Sequence, residues 1–460
     1  MPIPTEVAIY KRDGSFSLYT SYASARADAV DFDLIQIRAD LNEQIVLKDK
    51  VDIWIMPGVV IDNTNGGATI TDNSVAVMCK IYGEGIIKNT RDVGTTWYEC
   101  IKISNSNSSL SVECDYIEAY GGTSANGIEG PCIDVVNAKK FHLKCNKVYN
   151  VRNSAIVIGK KTSSTQFNVI GDINLKISDV ETGDSTYGTS ALLIFGIGFI
   201  NINEILCRNL GHCLSLRGGE VVARIKKMTS RMNRTNFVST VHIDQGTSEQ
   251  KLVLYFDEIL NLSTGSISAI TAIEHHQGTG IFIGRSAFTN SFGSNPAPTI
   301  QISKSGQTPN GLPKGYLKIN NITSVNGVTL TLNDFNEQIT IDANHIEGNG
   351  GTVIYSSGSS TERGNYFIKN AKIINKSTSS SAKGIYFENI YPIVTLNNVK
   401  IISGSEVGSN IFLGNGSSID VYNYGLFGNL TIQSAVNLKI GPKPGASGYN
   451  YQCIIDEDLT

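Results

Sequence analysis

The chain has 460 residues, a length that ordinarily corresponds to three domains of roughly 150 residues each. Charged residues make up 17% of it and the formal net charge is −3, so the composition argues against a basic surface for nucleic acid. Hydrophobic residues make up 41%, enough for a core, and no apolar stretch approaches the ~20 residues that span a bilayer. We therefore expect a folded protein that neither binds nucleic acid nor inserts into a membrane.

The first element with a clear pattern is an alanine-rich helix over residues 20–30. Thr20 or Ser21 provides its N-cap, because a hydroxyl at that position accepts a hydrogen bond from the first turn. Short apolar strands follow at residues 33–37, 44–47, 51–55 and 57–61. A short helix of this kind is the expected cover for the open end of a stack of strands.

From about residue 100 onward, one short pattern recurs at intervals of roughly 20 to 32 residues. Apolar residues alternate with others, then Asn, Asp or a small residue follows before the next apolar position. Copies begin at Val112, Ile173, Ile200, Leu317 and Val394. Helical periodicity is nearly absent, and two-residue hairpin loops are scarce. Short strands with irregular turns therefore stack coil on coil, each burying its inward side chains against its neighbours.

This pattern predicts an all-β fold, a single right-handed parallel β-helix with a short N-terminal capping helix. Residues 1–70 would form the cap and first coils, 71–440 the rungs, and 441–460 a loop, a final strand and an acidic tail. The helix, the strand at 33–37, the run from Ile45 to Ile61 and the Asn-bearing rungs resemble the pectate-lyase-like superfamily. That resemblance implies the fold, whereas functions in the superfamily range from pectin lyases, hydrolases and epimerases to phage tail spikes.

The eight cysteines and the N-terminus favour the phage members of that group. Cys79, Cys114, Cys145, Cys207 and Cys213 lie in apolar alternating runs, and no CxxC or Cys/His zinc spacing occurs. We therefore expect buried free thiols made in a reducing compartment, although disulfides remain an alternative. The first seven residues lack the basic and apolar regions of a secretory signal, which favours assembly in a bacterial cytoplasm.

The scarce histidines mark the candidate site, since four of the six lie between His212 and His276. Aligning residues 214–217, 241–244 and 273–276 as stacked rungs places alternate side chains on one outward face. That face holds Ser215, Arg217, His242, Asp244, Glu274 and His276, and the next rung adds Gln301 and Ser303. His275 points inward and is expected to be a satisfied core histidine.

Two functions and one structural alternative follow from this face. Asp244 and Glu274 would be diagonal neighbours about 7–8 Å apart, within the roughly 6.5–9.5 Å that inverting glycoside hydrolysis requires. In a lyase, His242 or His276 would instead accept the proton, and Arg217 would neutralise a uronate or phosphate on the substrate. The alternative is a ladder of cross-strand ion pairs without a ligand.

A second candidate is the pair Trp97 and Tyr98, whose rings would stack on sugars if exposed, or pack under a loop. The sequence contains no calcium-type array of acids, and we expect neither a metal nor a cofactor. The leading functional hypothesis is a phage tail-spike or tail-fibre protein of the virion, released to the extracellular space, that presents a β-helix face to host-surface polysaccharide. Other virion proteins and a homotrimer are the expected partners. A polysaccharide hydrolase or lyase and a purely structural rod are the alternatives.

Overall fold

The structure is a computed structural model. It describes residues 6–91, 98–120, 130–162, 167–183, 190–208, 211–231, 238–243, 250–263, 270–290, 298–303, 313–332, 338–357, 365–377, 383–388, 393–397, 399–403, 411–413, 418–422, 430–432 and 438–441. The protein is all-β, with 63% strand and 2% helix, and it forms a parallel β-solenoid. The chain divides into two compact units, residues 1–225 and 226–460. The all-β solenoid and its short helix confirm the fold class expected from the sequence.

The helix α1 spans Tyr22–Asp28. Strands β1 to β20 are Val7–Tyr10, Phe16–Tyr19, Leu34–Ile37, Ile45–Val46, Asp52–Ile55, Val60–Asp62, Ile70–Thr71, Met78–Gly83, Ile86–Asn89, Ile101–Ile103, Ser109–Ala119, Ile133–Val135, Lys140–Asn150, Ile156–Ile158, Lys160–Lys161, Phe167–Asn168, Ile170–Thr182, Ser190–Cys207, His212–Gly218 and Glu220–Ser230. Strands β21 to β39 are Val238–Ile243, Lys251–Asn261, Ile270–His275, Thr279–Thr289, Ile300–Ile302, Lys314–Ser324, Leu330–Leu332, Ile339–Asp342, His345–Gly348, Ile354–Ser357, Asn365–Lys369, Lys372–Asn375, Ile385–Glu388, Ile393–Asn397, Lys400–Ser403, Ile411–Leu413, Ser418–Tyr422, Leu430–Ile432 and Leu438–Gly441.

In the first unit, each coil from β10 onward combines a short strand with a longer one. On one face of these coils, β10 pairs in parallel with β12, β12 with β14, and β14 with the first part of β18. Long strands pair likewise, β11 with β13 and β13 with β17. We call these two faces the short-strand sheet and the long-strand sheet. The second unit repeats the arrangement, with β21, β23 and β25 in the short-strand sheet and β22, β24 and β26 in the long-strand sheet.

Alternation along each strand separates the core from the surface, as the sequence pattern predicts. On β13, Phe141, Leu143 and Cys145 are buried, whereas His142 is half-buried and Lys144 is exposed. The number of residues per coil varies beyond the predicted range of roughly 20 to 32. Ile156 pairs with Leu192, which is a longer repeat than predicted, and Ile411 pairs with Leu430, which is a shorter one. Turn length is free to vary because stacking constrains only the strands.

A buried asparagine holds the end of the long strand β13. The Asn150 side chain is fully buried, and its Nδ2 donates to the carbonyls of Gly130 and Ser154 at 3.0 and 2.7 Å. Its Oδ1 accepts from the amides of Arg152 and Asn153 at 3.1 and 3.0 Å. Both halves of the amide are thus used, which lets a polar turn close within the core.

Glycine is required at a close approach between two neighbouring coils of the second unit. Gly315 on β26 pairs with Gly280 on β24 and has a φ of +149°. A Cβ at Gly315 would lie 1.8 Å from the carbonyl oxygen of Gly280. The long-strand sheet of the second unit therefore has no space for a side chain at this position.

The N-terminal cap confirms one prediction and adds an element that was not predicted. Ser21 is the N-cap of α1, and its hydroxyl accepts from the amide of Ser24, as expected. The β1–β2 hairpin was missed; it pairs antiparallel and lies beside β3, also antiparallel, at the start of the solenoid. Its turn contains Asp13 and Gly14, the latter with a φ of +85°. The end is covered by both helix and hairpin.

For the residues that the structure describes, the prediction of buried cysteines without disulfides is confirmed. Seven cysteines are buried thiols that form no disulfide, namely Cys79, Cys100, Cys114, Cys132, Cys145, Cys207 and Cys213. Burial raises the pKa of Cys79 to about 12. Among the described residues, no helix is long and apolar enough to cross a bilayer.

Candidate functional site

The predicted rung register is correct where the structure describes it. Val241 pairs with Ile273, His242 with Glu274 and Ile243 with His275. Glu274 then pairs with Gln301 on β25. His242, Glu274 and His276 therefore meet on the outer face of the short-strand sheet, and we call them the His–Glu cluster.

Within the His–Glu cluster, one carboxylate faces two imidazoles. Nε2 of His276 lies 2.7 Å from Oε1 of Glu274, and Nε2 of His242 lies 3.8 Å from Oε2. The two rings are 5.7 Å apart, with 83° between their planes. The side chains of His242, Glu274 and His276 are only 10%, 24% and 12% exposed, so the group is largely shielded from water but open on one side.

The following rung fixes the orientation of His276. Its Nδ1 lies 3.0 Å from the carbonyl oxygen of Ser303 and 2.8 Å from the Ser303 hydroxyl. That serine is itself held in place, because its amide donates to the carbonyl of His275. Gln301 donates to the same hydroxyl at 3.4 Å. An imidazole oriented in this way and paired with a carboxylate has the elements of a proton-transfer pair.

His275 is a neutral core histidine, close to the prediction. It is fully buried, and Nε2 lies 3.0 Å from the carbonyl oxygen of Gly278, to which it donates. Burial lowers the pKa of His275 to about 4, because desolvation disfavours the imidazolium. Among the described residues, Nδ1 has no hydrogen-bond partner, so only one of the two ring nitrogens is satisfied.

The remaining predicted site residues have varied environments. Ser215 is fully buried, and Arg217 donates to its hydroxyl at 3.4 Å in the first unit. Tyr98 is half-buried beneath the guanidinium of Arg91, which lies 5.0 Å from the ring centroid. Asp244 and Trp97 lie outside the described residues, so the Asp244–Glu274 pair and the Trp97–Tyr98 pair stay predictions.

A surface that the sequence analysis missed lies on the long-strand sheet of the first unit. Two adjoining cavities of about 580 and about 220 Å³ share Lys80 and Ser111 in their walls. We call them together the lysine groove. Its lysines are Lys50, Lys80, Lys139, Lys140, Lys144 and Lys176, and its acids are Asp33, Asp52, Asp172 and Glu113.

The lysine groove is built by the same outward positions of successive coils. Lys80, Ser111, His142 and Asn174 pair in one continuous row across β8, β11, β13 and β17. Beside it, Lys144 pairs with Lys176 on the adjacent coil. The sequence did contain a signal for this groove, namely lysines at alternate positions of individual strands. The register between coils is needed to show that lysines on different strands align.

Aromatic and paired charged side chains complete the lysine groove. Tyr82 lines the smaller cavity and pairs in register with Trp54 on β5. Asp172 accepts from His142 at 3.0 Å and lies 3.5 Å from the Lys140 ammonium. The hydrogen bond from His142 is the largest of the effects that lower the pKa of Asp172. Lys144 forms an ion pair with Glu113.

Comparison with known proteins adds no family to this fold. A scan of family models, a search of curated proteins and a search of solved structures each gave no match. The class of protein established is therefore the parallel β-solenoid, and the resemblance to pectate-lyase-like proteins stays a prediction.

Proposed function

We propose that this protein is a glycan-binding solenoid whose lysine groove holds an anionic polysaccharide. The observation that carries the proposal is the continuous row of polar side chains at Lys80, Ser111, His142 and Asn174, one from each of four stacked coils. Coils rise by about 4.8 Å, similar to the length of one sugar residue in an extended chain. Repeated polar groups at that interval suit a polymer better than a compact metabolite.

Charge favours an acidic polymer over a neutral one. The groove has six lysines against four acids, although the whole chain has a net charge of −3. Ammonium groups form charge-assisted hydrogen bonds with uronate, sulfate or phosphate oxygens. Tyr82 and its neighbour Trp54 supply aromatic surface for the apolar face of a sugar ring.

The finer assignment that we propose is a tail spike or tail fibre of a phage virion, with a host-surface polysaccharide as its ligand. Its support is the fold together with the buried cysteine thiols outside disulfides, which suit assembly in a reducing cytoplasm. Other virion proteins and two further copies of the chain would be its partners.

The test is binding to a panel of capsular and O-antigen polysaccharides that includes acidic and neutral members. We expect affinity for one or more acidic members, reduced by salt because exposed charge pairs are screened. The double variant K80Q/K176Q removes two exposed groove lysines and should weaken binding about tenfold, or 1.4 kcal/mol. The control Lys318→Gln removes an exposed lysine from the second unit and should leave affinity unchanged.

The same panel separates the competing classes of function. Binding without new reducing ends or unsaturated-sugar absorbance is the expected result. Cleavage of a polysaccharide would identify an enzyme instead, and absence of binding across the acidic members would contradict the proposal and favour a structural rod. If K80Q/K176Q and wild type bind with equal affinity, the lysine groove is not the binding site.

A further inference from the structure

We propose that the His–Glu cluster is a binding site for a divalent transition metal, with zinc as the ion that fits best. Its three ligands would be Nε2 of His242, a carboxylate oxygen of Glu274 and Nε2 of His276. One donor atom from each residue lies within 4.8 Å of the others. Two imidazoles and one carboxylate are a known zinc ligand set, with the fourth position open to water.

The environment of His276 supports a cation between it and Glu274. The Ser303 carbonyl, 3.0 Å from Nδ1 of His276, can only accept, so it fits the tautomer of His276 that has its proton on Nδ1. In that tautomer, Nε2 has a lone pair directed at a carboxylate oxygen 2.7 Å away. Two such groups repel unless a positive charge lies between them, and that charge is either a proton or a metal ion.

Three features favour the metal ion over the proton. A hydrogen bond from a ligand's second ring nitrogen to a backbone carbonyl is the usual outer-shell support of a metal-bound histidine, and Ser303 supplies it. Nε2 of His242 approaches the other carboxylate oxygen at 3.8 Å, too long for a hydrogen bond. Both imidazoles thus converge on one carboxylate, as the ligands of a single cation do.

The spacing of the donors requires little movement. Tetrahedral zinc with bonds of about 2.0–2.1 Å places neighbouring donors about 3.4 Å apart. Nε2 of His276 lies 2.7 Å from Oε1 of Glu274 and Nε2 of His242 lies 3.8 Å from Oε2, so the two contacts, to different oxygens of the carboxylate, lie on either side of that value. His242 and Glu274 are directly paired across β21 and β23, so the solenoid holds two of the three ligands before any ion binds. The partial exposure of Glu274 leaves one side of the site accessible.

Zinc titration of untagged, chelator-treated full-length protein tests the site without assuming any activity. Calorimetry should give one zinc per chain. His242→Gln, His276→Gln and Glu274→Gln should each weaken affinity by at least about 100-fold, since even outer-shell changes cost about 10- to 100-fold. The control His345→Gln replaces an exposed histidine of the same unit and should bind zinc as wild type does.

A second measurement needs no variant and remains decisive if the variants fail to fold. Cobalt-loaded wild type should show the intense visible absorbance of a four-coordinate ion, and X-ray absorption of the zinc form should show two imidazole ligands. No stoichiometric zinc binding by wild type would overturn the site, as would a spectrum of six oxygen ligands. Variants that fold and retain wild-type affinity would also overturn it. The site lies apart in sequence from the lysine groove, so either proposal can fail alone.

Discussion

Replacing Asn150 by alanine tests how the solenoid closes its turns. The substitution removes two donors and one acceptor that together serve Gly130, Arg152, Asn153 and Ser154. The Ser154 carbonyl retains a bond from the amide of Cys132, and the partly buried Arg152 amide can reach water. The Gly130 carbonyl and the Asn153 amide lose these bonds in buried surroundings. At about 1–3 kcal/mol for each, we expect the free energy of unfolding to fall by roughly 2–6 kcal/mol.

Urea unfolding followed by far-UV circular dichroism measures this loss, with the midpoint and slope compared for each variant. Asn150→Asp keeps the shape but places a carboxylate against two carbonyls, so it should destabilise at least as much as alanine. Asn146→Ala is the matched control on the same strand, since it removes one exposed bond to Asp115 and should change stability by less than about 0.5 kcal/mol. A loss below about 1 kcal/mol for Asn150→Ala, or wild-type stability for Asn150→Asp, would refute the reasoning.

Three further predictions concern packing, thiols and pH. Gly315→Ala should destabilise the protein by several kcal/mol and lower the melting temperature, because its Cβ would overlap the Gly280 carbonyl; wild-type melting would contradict the close approach. Native protein should react with a thiol reagent far more slowly than denatured protein, since the described cysteines are buried and burial raises the pKa of Cys79 to about 12; rapid labelling of native Cys79 would be the opposing result. Because the pKa of Asp172 is lowered below its usual 3.8, mainly by His142, its ion pairs stabilise the fold above that pH and are lost as the pH falls below it. Asp172→Asn should therefore lower the free energy of unfolding by at most about 1 kcal/mol near neutral pH, and should not change it at the lowest pH at which the protein stays folded. A difference between wild type and variant that is the same at every pH would contradict the role of the ionised Asp172 carboxylate.

Period-2 alternation made the fold predictable from the sequence. Each coil buries alternate side chains, as Phe141, Leu143 and Cys145 do, so the pattern survives changes in turn length. The same alternation aligned His242 with Glu274 and placed His275 in the core. The N-cap at Ser21 was also readable, because its hydroxyl acts within four residues.

What the sequence did not provide depends on contacts between coils. Lys80, His142 and Lys176 are far apart in the chain, and only the register of four strands places them in one groove. The His–Glu cluster lacks a metal-ligand spacing for the same reason, since His242 belongs to one coil and Glu274 to the next. The β1–β2 hairpin had a local signal, the Asp13–Gly14 turn between two apolar strands, that the repeat pattern obscured.

Hydroxyl-radical footprinting with an acidic polysaccharide from the binding panel tests the central claim most directly. Met78, Tyr82 and His142 line the lysine groove and react readily with the radical. Tyr120 and Tyr255 are exposed elsewhere, at 37% and 39%, and serve as internal controls. We predict that saturating polysaccharide protects the three groove residues and leaves the two control tyrosines unchanged. Equal protection everywhere, or protection confined to residues outside the groove, would contradict the account.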